Sequence, residues 1–235
     1  SVRRFIAPSE FYARHMRQQL DATEGQIKVL FNGIDASSFT TASPDPNWPT
    51  IGYFARMIHG KGLTTLIDAY IALVKRGSVP RLKLLIGGAA TPVDEKYIAE
   101  QKAKLKAAGC EARVEWRPNL DFKDKVHFFR DLTVFSVPAT YGEAFGLYVI
   151  EAIASGVPVV EPRHGAFPEL IEATGGGILC EPDNVESLAN ALESLLLDGE
   201  RCDQLIKTGI ANVRARFSAT HMAEEFESVL REAVA

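Results

Sequence analysis

The chain has 235 residues, of which 46% are apolar and 24% charged, and its 30 acidic and 26 basic side chains leave a net charge of −4. A chain of this length and composition buries a core large enough to fold without disulfides or metal ions, which excludes the disordered, collagen-like and disulfide-scaffold classes. The slightly acidic balance argues against a dedicated nucleic-acid binder, and no apolar run approaches the roughly 20 residues that span a bilayer.

Short β-branched runs alternate with longer helical patterns along the chain. The first 49 residues predict a strand at 4–7, a helix from about Pro8 to Leu20 with Ser9 as its N-cap, a strand at 27–31 and a proline-rich loop at 40–49. Further strands are predicted at 51–55, 82–86, 113–116, 133–137, 157–160 and 177–180. Further helices are predicted at 60–75, 93–108, 123–130, 145–155, 166–173, 184–197, 200–215 and 219–233.

Strands that alternate with helices of about 10–15 residues are typical of βαβ units. The pattern therefore predicts an α/β fold, a Rossmann-like doubly wound parallel sheet of about six strands with helices on both faces. Ligands bind outside the carboxyl ends of the strands in such sheets. We therefore expect site residues in the loops that follow residues 55, 87, 117, 138 and 161.

The first of these loops places two cations, Arg56 and Lys61, between a strand end and a helix start. Gly60 and Gly62 would let a ligand approach the backbone, and the helix N-terminus offers free N–H groups and about half a positive charge. The loop therefore suits a phosphate. Considered alone, it fits a solvated turn better, because Arg and Lys side chains are usually exposed.

The loop at 138–147 crowds glycines, aromatic residues and Glu143 into a strand-to-helix turn. Glu151 follows Gly146 by five residues, so it stands about 7.5 Å along the helix axis, a distance that suits the ribose of a nucleotide whose diphosphate lies at the helix start. Alternatively, Glu143 would only stabilise the positive N-terminus of the helix, and Glu151 would be a solvated helix residue. The helix at 147–154 is otherwise almost wholly apolar, and a charge there is costly unless it is paired or bound, which favours a functional Glu151.

The remaining signals are weaker or negative. The loop at 161–169, with His164, is typical of a turn before a capped helix, and residues 175–177 of a glycine turn. Three cysteines without CxxC spacing predict a reducing compartment. The chain has no DxD, HExxH, GxSxG, GxGxxG or Walker sequence, and its five histidines lack metal-ligand spacing. No metal site is therefore expected.

Taken together, the two charged loops resemble the group-1 family of retaining glycosyltransferases with the GT-B fold. Residues 143–151 (EAFGLYVIE) match the family's Glu-x7-Glu motif, and Arg56 with Lys61-Gly62 matches its phosphate loop. Further matches lie at 27–35, 154–160, 168–170 and 216–218, so the resemblance covers nearly the whole chain.

The resemblance implies one half of a GT-B fold, the half that binds a nucleotide-sugar donor. It divides the chain into a joining segment at 1–48, a Rossmann-like nucleotide-sugar-binding domain at 49–217 and a C-terminal helix at 218–235. The acceptor-binding N-terminal half would lie outside this sequence. We therefore expect this piece to bind a donor but not to complete transfer to an acceptor alone.

The resemblance also implies a role for each matched residue. Arg56 and Lys61 would neutralise the donor diphosphate, Glu143 would hold the sugar, and these three are the implied catalytic residues. The implied donor-binding residues are Arg56, Lys61, Glu143, Phe145, Gly146, Leu147 and Glu151, with Glu151 taking the ribose hydroxyls. No metal or other cofactor is implied, and the substrate would be a UDP-, GDP- or ADP-linked sugar.

The sequence departs from the family pattern at Ala55, Ala139 and Ala166, where Gly, Ser and Gly are usual. The first two would lie near the phosphate and the sugar, so they bear on donor preference rather than on donor binding. The implied partners are the donor and the N-terminal half, with no nucleic acid and no transmembrane segment. The implied location is cytoplasmic, or peripheral to a membrane in the full-length protein. Two alternatives stay open: another GT-B enzyme, such as a nucleotide-sugar epimerase or a pyridoxal-dependent sugar phosphorylase, and a non-catalytic sugar- or partner-binding module.

Overall fold

The computed structural model describes residues 4–23 and 25–234. Residues 1–3 and 24 of the predicted joining segment, and residue 235 of the predicted C-terminal helix, lie outside the described residues. The strands are β1 (Phe5–Ala7), β2 (Ile27–Val29), β3 (Thr50–Phe54), β4 (Lys83–Gly88), β5 (Val114–Pro118), β6 (Val134–Phe135), β7 (Val159–Pro162) and β8 (Gly177–Cys180). The helices are α1 (Glu10–Leu20), α2 (Leu63–Arg76), α3 (Glu95–Ala107), α4 (Phe122–Arg130), α5 (Leu147–Ala154), α6 (Phe167–Thr174), α7 (Val185–Leu197), α8 (Gly199–Arg216) and α9 (Ala219–Val234).

The main sheet has six parallel strands in the order β5-β4-β3-β6-β7-β8, which confirms the predicted fold class. From β3 the chain builds outward through β4 to β5, then returns to the other side of β3 and builds outward through β7 to β8. The strand order therefore reverses between β3 and β6. The loops after these two strands start side by side and lead to helices on opposite faces of the sheet. Such a switch point is where open α/β sheets bind their ligands.

Burial follows the predicted layering of helices on the sheet. All residues of β7 and nearly all of β3 and β4 are buried, as expected for strands covered on both faces, whereas the residues of the edge strand β5 are half-buried or exposed. On the helical layers, α2 packs against α3 and α7, and α8 packs against α5 and α6. One hydrophobic core thus runs through the sheet and its helices.

Several element bounds differ from the prediction for reasons that matter at the site. The predicted helix at 60–75 begins at Leu63, after a 3₁₀ turn (His59–Lys61) and Gly62, whose φ of 73° is left-handed. The predicted helix at 93–108 begins at Glu95, after a 3₁₀ turn (Pro92–Asp94). The predicted strand at 133–137 is reduced to two residues, because its ladder with β7 stops after Phe135.

The first residues of α1 are tied to the main domain by polar contacts. The N–H groups of Glu10 and Phe11 donate to the two carboxylate oxygens of Glu169 at 2.8 and 2.9 Å, so a side chain on α6 satisfies the start of α1. The predicted N-cap Ser9 accepts from the N–H of Tyr12 at 3.0 Å and donates to the carbonyl oxygen of Ala144 at 2.6 Å. The front of the chain therefore rests on the loop that precedes α5.

Two further observations complete the architecture. Strands β1 and β2 form a separate two-stranded parallel sheet, and a β-bridge joins Ile34 to Ser218 just before α9. Within residues 4–23 and 25–234, no helix is both long and apolar enough to cross a membrane.

The contact between Glu169 and α1 makes a prediction about stability. Glu169→Ala leaves two helix N–H groups without their acceptor, so we expect the free energy of unfolding in urea to fall by about 1–2 kcal/mol. Amide exchange at Glu10 and Phe11 should accelerate. Glu172→Ala, an exposed carboxylate on the same helix, is the matched control. Equal effects of the two substitutions would contradict the role of Glu169.

Candidate functional site

The loops after β3 and β6 meet at the switch point. The N–H of Thr140 donates to the carbonyl oxygen of Gly60 at 3.0 Å. A Cβ placed on Gly62 would overlap the carbonyl oxygen of Pro138, and one on Gly60 would lie 3.0 Å from the Tyr141 ring. Gly62 is therefore required by the packing of one loop on the other, and a side chain at Gly60 would have to displace the Tyr141 ring, whereas the sequence suggested room for a ligand at both glycines.

Lys61 and Glu143 form an ion pair across this junction. Their side chains are only 16% and 13% exposed, and the hydroxyl of Tyr148 donates to the same Glu143 oxygen, Oε2, at 2.8 Å. The Lys61 ammonium also lies 5.1 and 5.3 Å from the ring centroids of Tyr141 and Tyr148. Burial disfavours the ammonium, but the hydrogen bond to Glu143 and the proximity of Tyr141 outweigh it, so the pKa of Lys61 is raised.

Arg56 lies on the same edge and is held by a different carboxylate. Its Nε and Nη2 donate to Asp94 at 3.4 and 3.3 Å, while half of its side chain stays exposed. Asp94 is almost fully buried and also accepts from the N–H and hydroxyl of Thr91. The Thr91 hydroxyl, and then the guanidinium of Arg56, lower the pKa of Asp94. Arg56 is thus oriented from one side and open to a ligand on the other.

Glu151 is paired with a cation that sequence reasoning did not find. Lys125 Nζ lies 2.6 Å from Glu151 Oε1, and the two side chains are 19% and 12% exposed. Rings of Phe39, Phe54 and Phe122 surround the ammonium at 5.3–6.0 Å. The cost of a carboxylate on an apolar helix is therefore met by a structural partner, which removes the sequence-based reason for giving Glu151 a function.

The other predicted donor-binding residues mark the start of α5. Gly146 is the N-cap with a φ of 94°, and the helix begins there without a side-chain cap. Leu147 is 43% exposed at the first helical position. The side chain of Phe145 points instead into the core, where its ring lies 6.1 Å from that of Phe31. Any contact between Phe145 and a ligand at this edge would therefore be made by its backbone.

The loop after β7 supports the backbone of Glu143. The N–H of Ala166 donates to the carbonyl oxygen of Glu143 at 3.0 Å. Gly165 has a φ of 62°, and a Cβ there would lie 2.6 Å from the Glu143 nitrogen. His164 packs its ring edge-on against Phe11, with centroids 6.4 Å apart. This loop is a support for the neighbouring one, and none of these contacts gives His164 a catalytic role.

A cavity of about 430 Å³ lies beside Glu151, beyond the ends of β3, β4 and β5. Asn119 builds one wall by exchanging two 2.9 Å hydrogen bonds with the backbone of Ala90. The lining residues are Phe54, Gly88, Ala89, Asn119, Leu120, Asp121, Phe122 and Lys125. A larger cavity of about 570 Å³ lies beside the starts of the same strands, away from the charged loops.

The predicted site residues thus share one edge of the sheet but divide into three ion pairs. Only Lys61 and Glu143 contact each other directly; Arg56 contacts Asp94 and Glu151 contacts Lys125. The Thr91-x-x-Asp94 spacing is typical of a helix cap, and the sequence therefore indicates a local role for Asp94. The contact between Asp94 and Arg56 depends in addition on the path of the loop after β4. The pairing of Lys125 with Glu151 depends on how α4 packs beside α5, which no local spacing encodes.

Comparison with known proteins identifies the family of this chain. The family model described as glycosyl transferases group 1 matches residues 39–212, more than half of the chain. The chain belongs to this family. It is 30% identical to the lipopolysaccharide core biosynthesis mannosyltransferase LpsB of Rhizobium meliloti, in an alignment that covers 98% of this chain and 71% of LpsB.

Solved structures of glycosyltransferases agree on the fold. The C-terminal domain of a group 1 family protein, LpcC of Francisella tularensis, has a TM-score of 0.71 at 27% identity, covering 80% of this chain and 100% of that one. Anabaena Alr3699/HepE, solved with UDP and glucose, has a TM-score of 0.86 at 24% identity over 98% of this chain and 63% of its own. The chain spans about half the length of other curated relatives in the family.

The Lys125–Glu151 pair makes a prediction for a double-mutant cycle in urea. Both partners are shielded from water, so Lys125→Met and Glu151→Gln should be coupled by about 1 kcal/mol or more. Arg231→Met and Glu227→Gln, which break an exposed pair on one face of α9, form the matched control and should show weaker coupling. Purely additive effects of the Lys125 and Glu151 substitutions would contradict the pairing.

Proposed function

We propose that this chain binds the nucleotide-sugar donor of a retaining glycosyltransferase, with the diphosphate at the switch point between β3 and β6. One observation carries the proposal, the largely shielded Lys61–Glu143 ion pair at the meeting point of two strand-end loops, with the half-exposed Arg56 on the same edge. Membership of the group 1 family supports it. So does the UDP and glucose complex of Alr3699/HepE, which shares this fold.

Donor binding would exchange partners within the ion pair. Diphosphate oxygens would take the ammonium of Lys61 and the open side of Arg56, each a charge-assisted hydrogen bond worth about 1.5–3 kcal/mol. Glu143, released from Lys61, would then accept hydroxyl protons of the sugar, and the backbone at Phe145, Gly146 and Leu147 would line the same space. One pair of side chains would in this way serve both halves of the donor.

The nucleoside would extend from this point along α5. A carboxylate only accepts hydrogen bonds, so Glu151 suits the two hydroxyls of a ribose. The 430 Å³ cavity beside it, with aromatic and backbone walls, has the size and character for a base. Lys125 would then share Glu151 between itself and the ribose.

The chemistry required of these residues is electrostatic. When the bond between the anomeric carbon and the diphosphate breaks, negative charge grows on the leaving oxygen, where Arg56 and Lys61 would stabilise it. The acceptor hydroxyl would attack from the same face and pass its proton to the departing phosphate, so the anomeric configuration is kept. Because two protein cations meet the diphosphate, the reaction would need no metal. The acceptor would be bound by an N-terminal domain of the parent protein. We place that protein in the cytoplasm or at the periphery of a membrane.

The proposal predicts nucleotide binding by the chain itself. We expect UDP, GDP or ADP to raise the midpoint of thermal unfolding, because a ligand that binds only the native state stabilises it. Titration calorimetry then ranks the three nucleotides. Excess EDTA should leave the affinity unchanged, since no metal is required. Failure of all three to bind at millimolar concentration, in this chain and in its parent, would contradict the proposal.

The two cations predict a specific loss of affinity. Lys61→Met and Arg56→Met should each weaken binding of the preferred nucleotide about tenfold to a hundredfold, since each removes a charge-assisted hydrogen bond to the diphosphate. Lys104→Met is the matched control, because Lys104 pairs with Asp68 on the helical layer away from this edge. The corresponding nucleoside without phosphates should bind the two variants and the wild type equally. Equal nucleotide affinity of all three variants would contradict the proposed position of the diphosphate between Arg56 and Lys61.

A further inference from the structure

We propose that Glu161 is a positioning residue for the donor site, because its carboxyl replaces a strand hydrogen bond and sets the path of the loop that carries Glu143. Glu161 lies in β7 and is completely buried. Its Oε1 accepts the N–H of Val137 at 3.1 Å, at the point where the chain leaves β6. This inference rests on the proposed function, since it assigns a role within the same site.

The hydrogen bonds of β6 show what Glu161 replaces. Phe135 donates its N–H to Pro158 on one side, and Ser136 donates to Gly52 on the other. In a parallel ladder the donors alternate between the two neighbouring strands, so the N–H of Val137 should donate to the carbonyl of Val160. It donates instead to the side chain of Glu161. The carboxyl therefore stands between the two strands, and the ladder ends there after the single pair Phe135 and Val159.

The end of this ladder controls where Glu143 lies. Only five residues lie between Val137 and Glu143, and the intervening turn is held at Thr140 by a hydrogen bond to Gly60. The direction in which the chain leaves β6 thus determines how the carboxylate of Glu143 meets Lys61. An apolar side chain at 161 offers Val137 no acceptor, and the loop would have to settle on a different path to satisfy that N–H.

Glu161 performs this role as a neutral acid. An ionised carboxylate accepts about four hydrogen bonds, whereas this one receives a single N–H, and its Oε2 has no partner among the described residues. Burial, with the negative charge of Glu143 adding to it, raises the pKa of Glu161 well above its ordinary value of 4.5. Five titratable groups lie within its electrostatic reach: Tyr53 of β3, Lys61, Glu143, Tyr148 of α5 and Cys180 of β8. Being neutral, Glu161 leaves the charge of Lys61 to Glu143 and then to the diphosphate.

Three variants separate positioning from packing. Glu161→Gln keeps an acceptor oxygen for Val137 and carries no proton to lose, Glu161→Leu keeps the bulk without an acceptor, and Glu172→Gln is the control at an exposed carboxylate. We expect the glutamine variant to bind UDP, or the nucleotide that the wild type prefers, within about twofold of the wild type. The leucine variant should bind about tenfold to a hundredfold more weakly, because a small misplacement of Glu143 and Lys61 weakens their contacts with the ligand. Amide exchange at Val137 should stay slow in the glutamine variant and accelerate in the leucine variant.

A pH series tests the neutral acid without any nucleotide. Above pH 4.5 the unfolded chain releases the Glu161 proton, while the folded chain keeps it up to the raised pKa. The wild type should therefore lose stability relative to Glu161→Gln as the pH rises through that window, and the Glu172→Gln control should not show this trend. Fast Val137 exchange in Glu161→Gln, or a stability difference that does not change with pH, would overturn the inference. Failure of the wild type to bind any nucleotide would instead overturn the proposed function, and the exchange and pH series would still test Glu161.

Discussion

The reversal of strand order between β3 and β6 is the constraint on which the candidate site depends. Two adjacent parallel strands end at the same edge, but their loops lead to helices on opposite sides, so a crevice opens between them. Lys61 follows one strand and Glu143 follows the other, and their ion pair spans that crevice. Gly60, Gly62 and Thr140 then lock the two loops together, which leaves the charged pair little freedom to separate without a competing ligand.

The charged side chains at this edge of the sheet are partly shielded from water, and each is stabilised by an ion pair. Taking an ion out of water is costly, and each candidate residue meets that cost with a partner of opposite charge. The ion pairs differ in how tightly they bind the cation. The guanidinium nitrogens of Arg56 lie 3.3 Å or more from the carboxylate of Asp94, and half of the Arg56 side chain is exposed to solvent. The side chains of Lys61 and Glu143 are only 16% and 13% exposed. Arg56 is therefore suited to meet a diphosphate first, and Lys61 to follow once the phosphate can replace Glu143.

The sequence was sufficient for the fold because strong local signals agree with the global pattern. Buried runs such as residues 51–54 and 83–88 can only be central strands, and the intervening amphipathic helices require a doubly wound sheet. Motif spacing also predicted that Arg56, Lys61 and Glu143 follow strand ends and that Glu151 lies on the helix after Glu143, and the structure has all four in those elements. Their partners were beyond its reach, because Asp94 and Lys125 lie 38 and 26 residues away along the chain and meet their partners only through tertiary packing.

The sequence predicted that Glu161 opens the loop at 161–169, whereas the structure has it inside the buried strand β7. The carboxyl of Glu161 ends the hydrogen-bond ladder between β6 and β7, because its Oε1 accepts the Val137 N–H that a backbone carbonyl would normally accept. A buried acid with an unpartnered Oε2 is costly to the fold, and its other oxygen offsets only part of that cost by accepting the N–H of Val137. Local choices that weaken a core are expected where a site demands them. Glu161 lies two residues beyond the last β6–β7 pair and accepts the N–H of Val137, where the chain enters the loop that carries Glu143, which is the place required by the proposed positioning role.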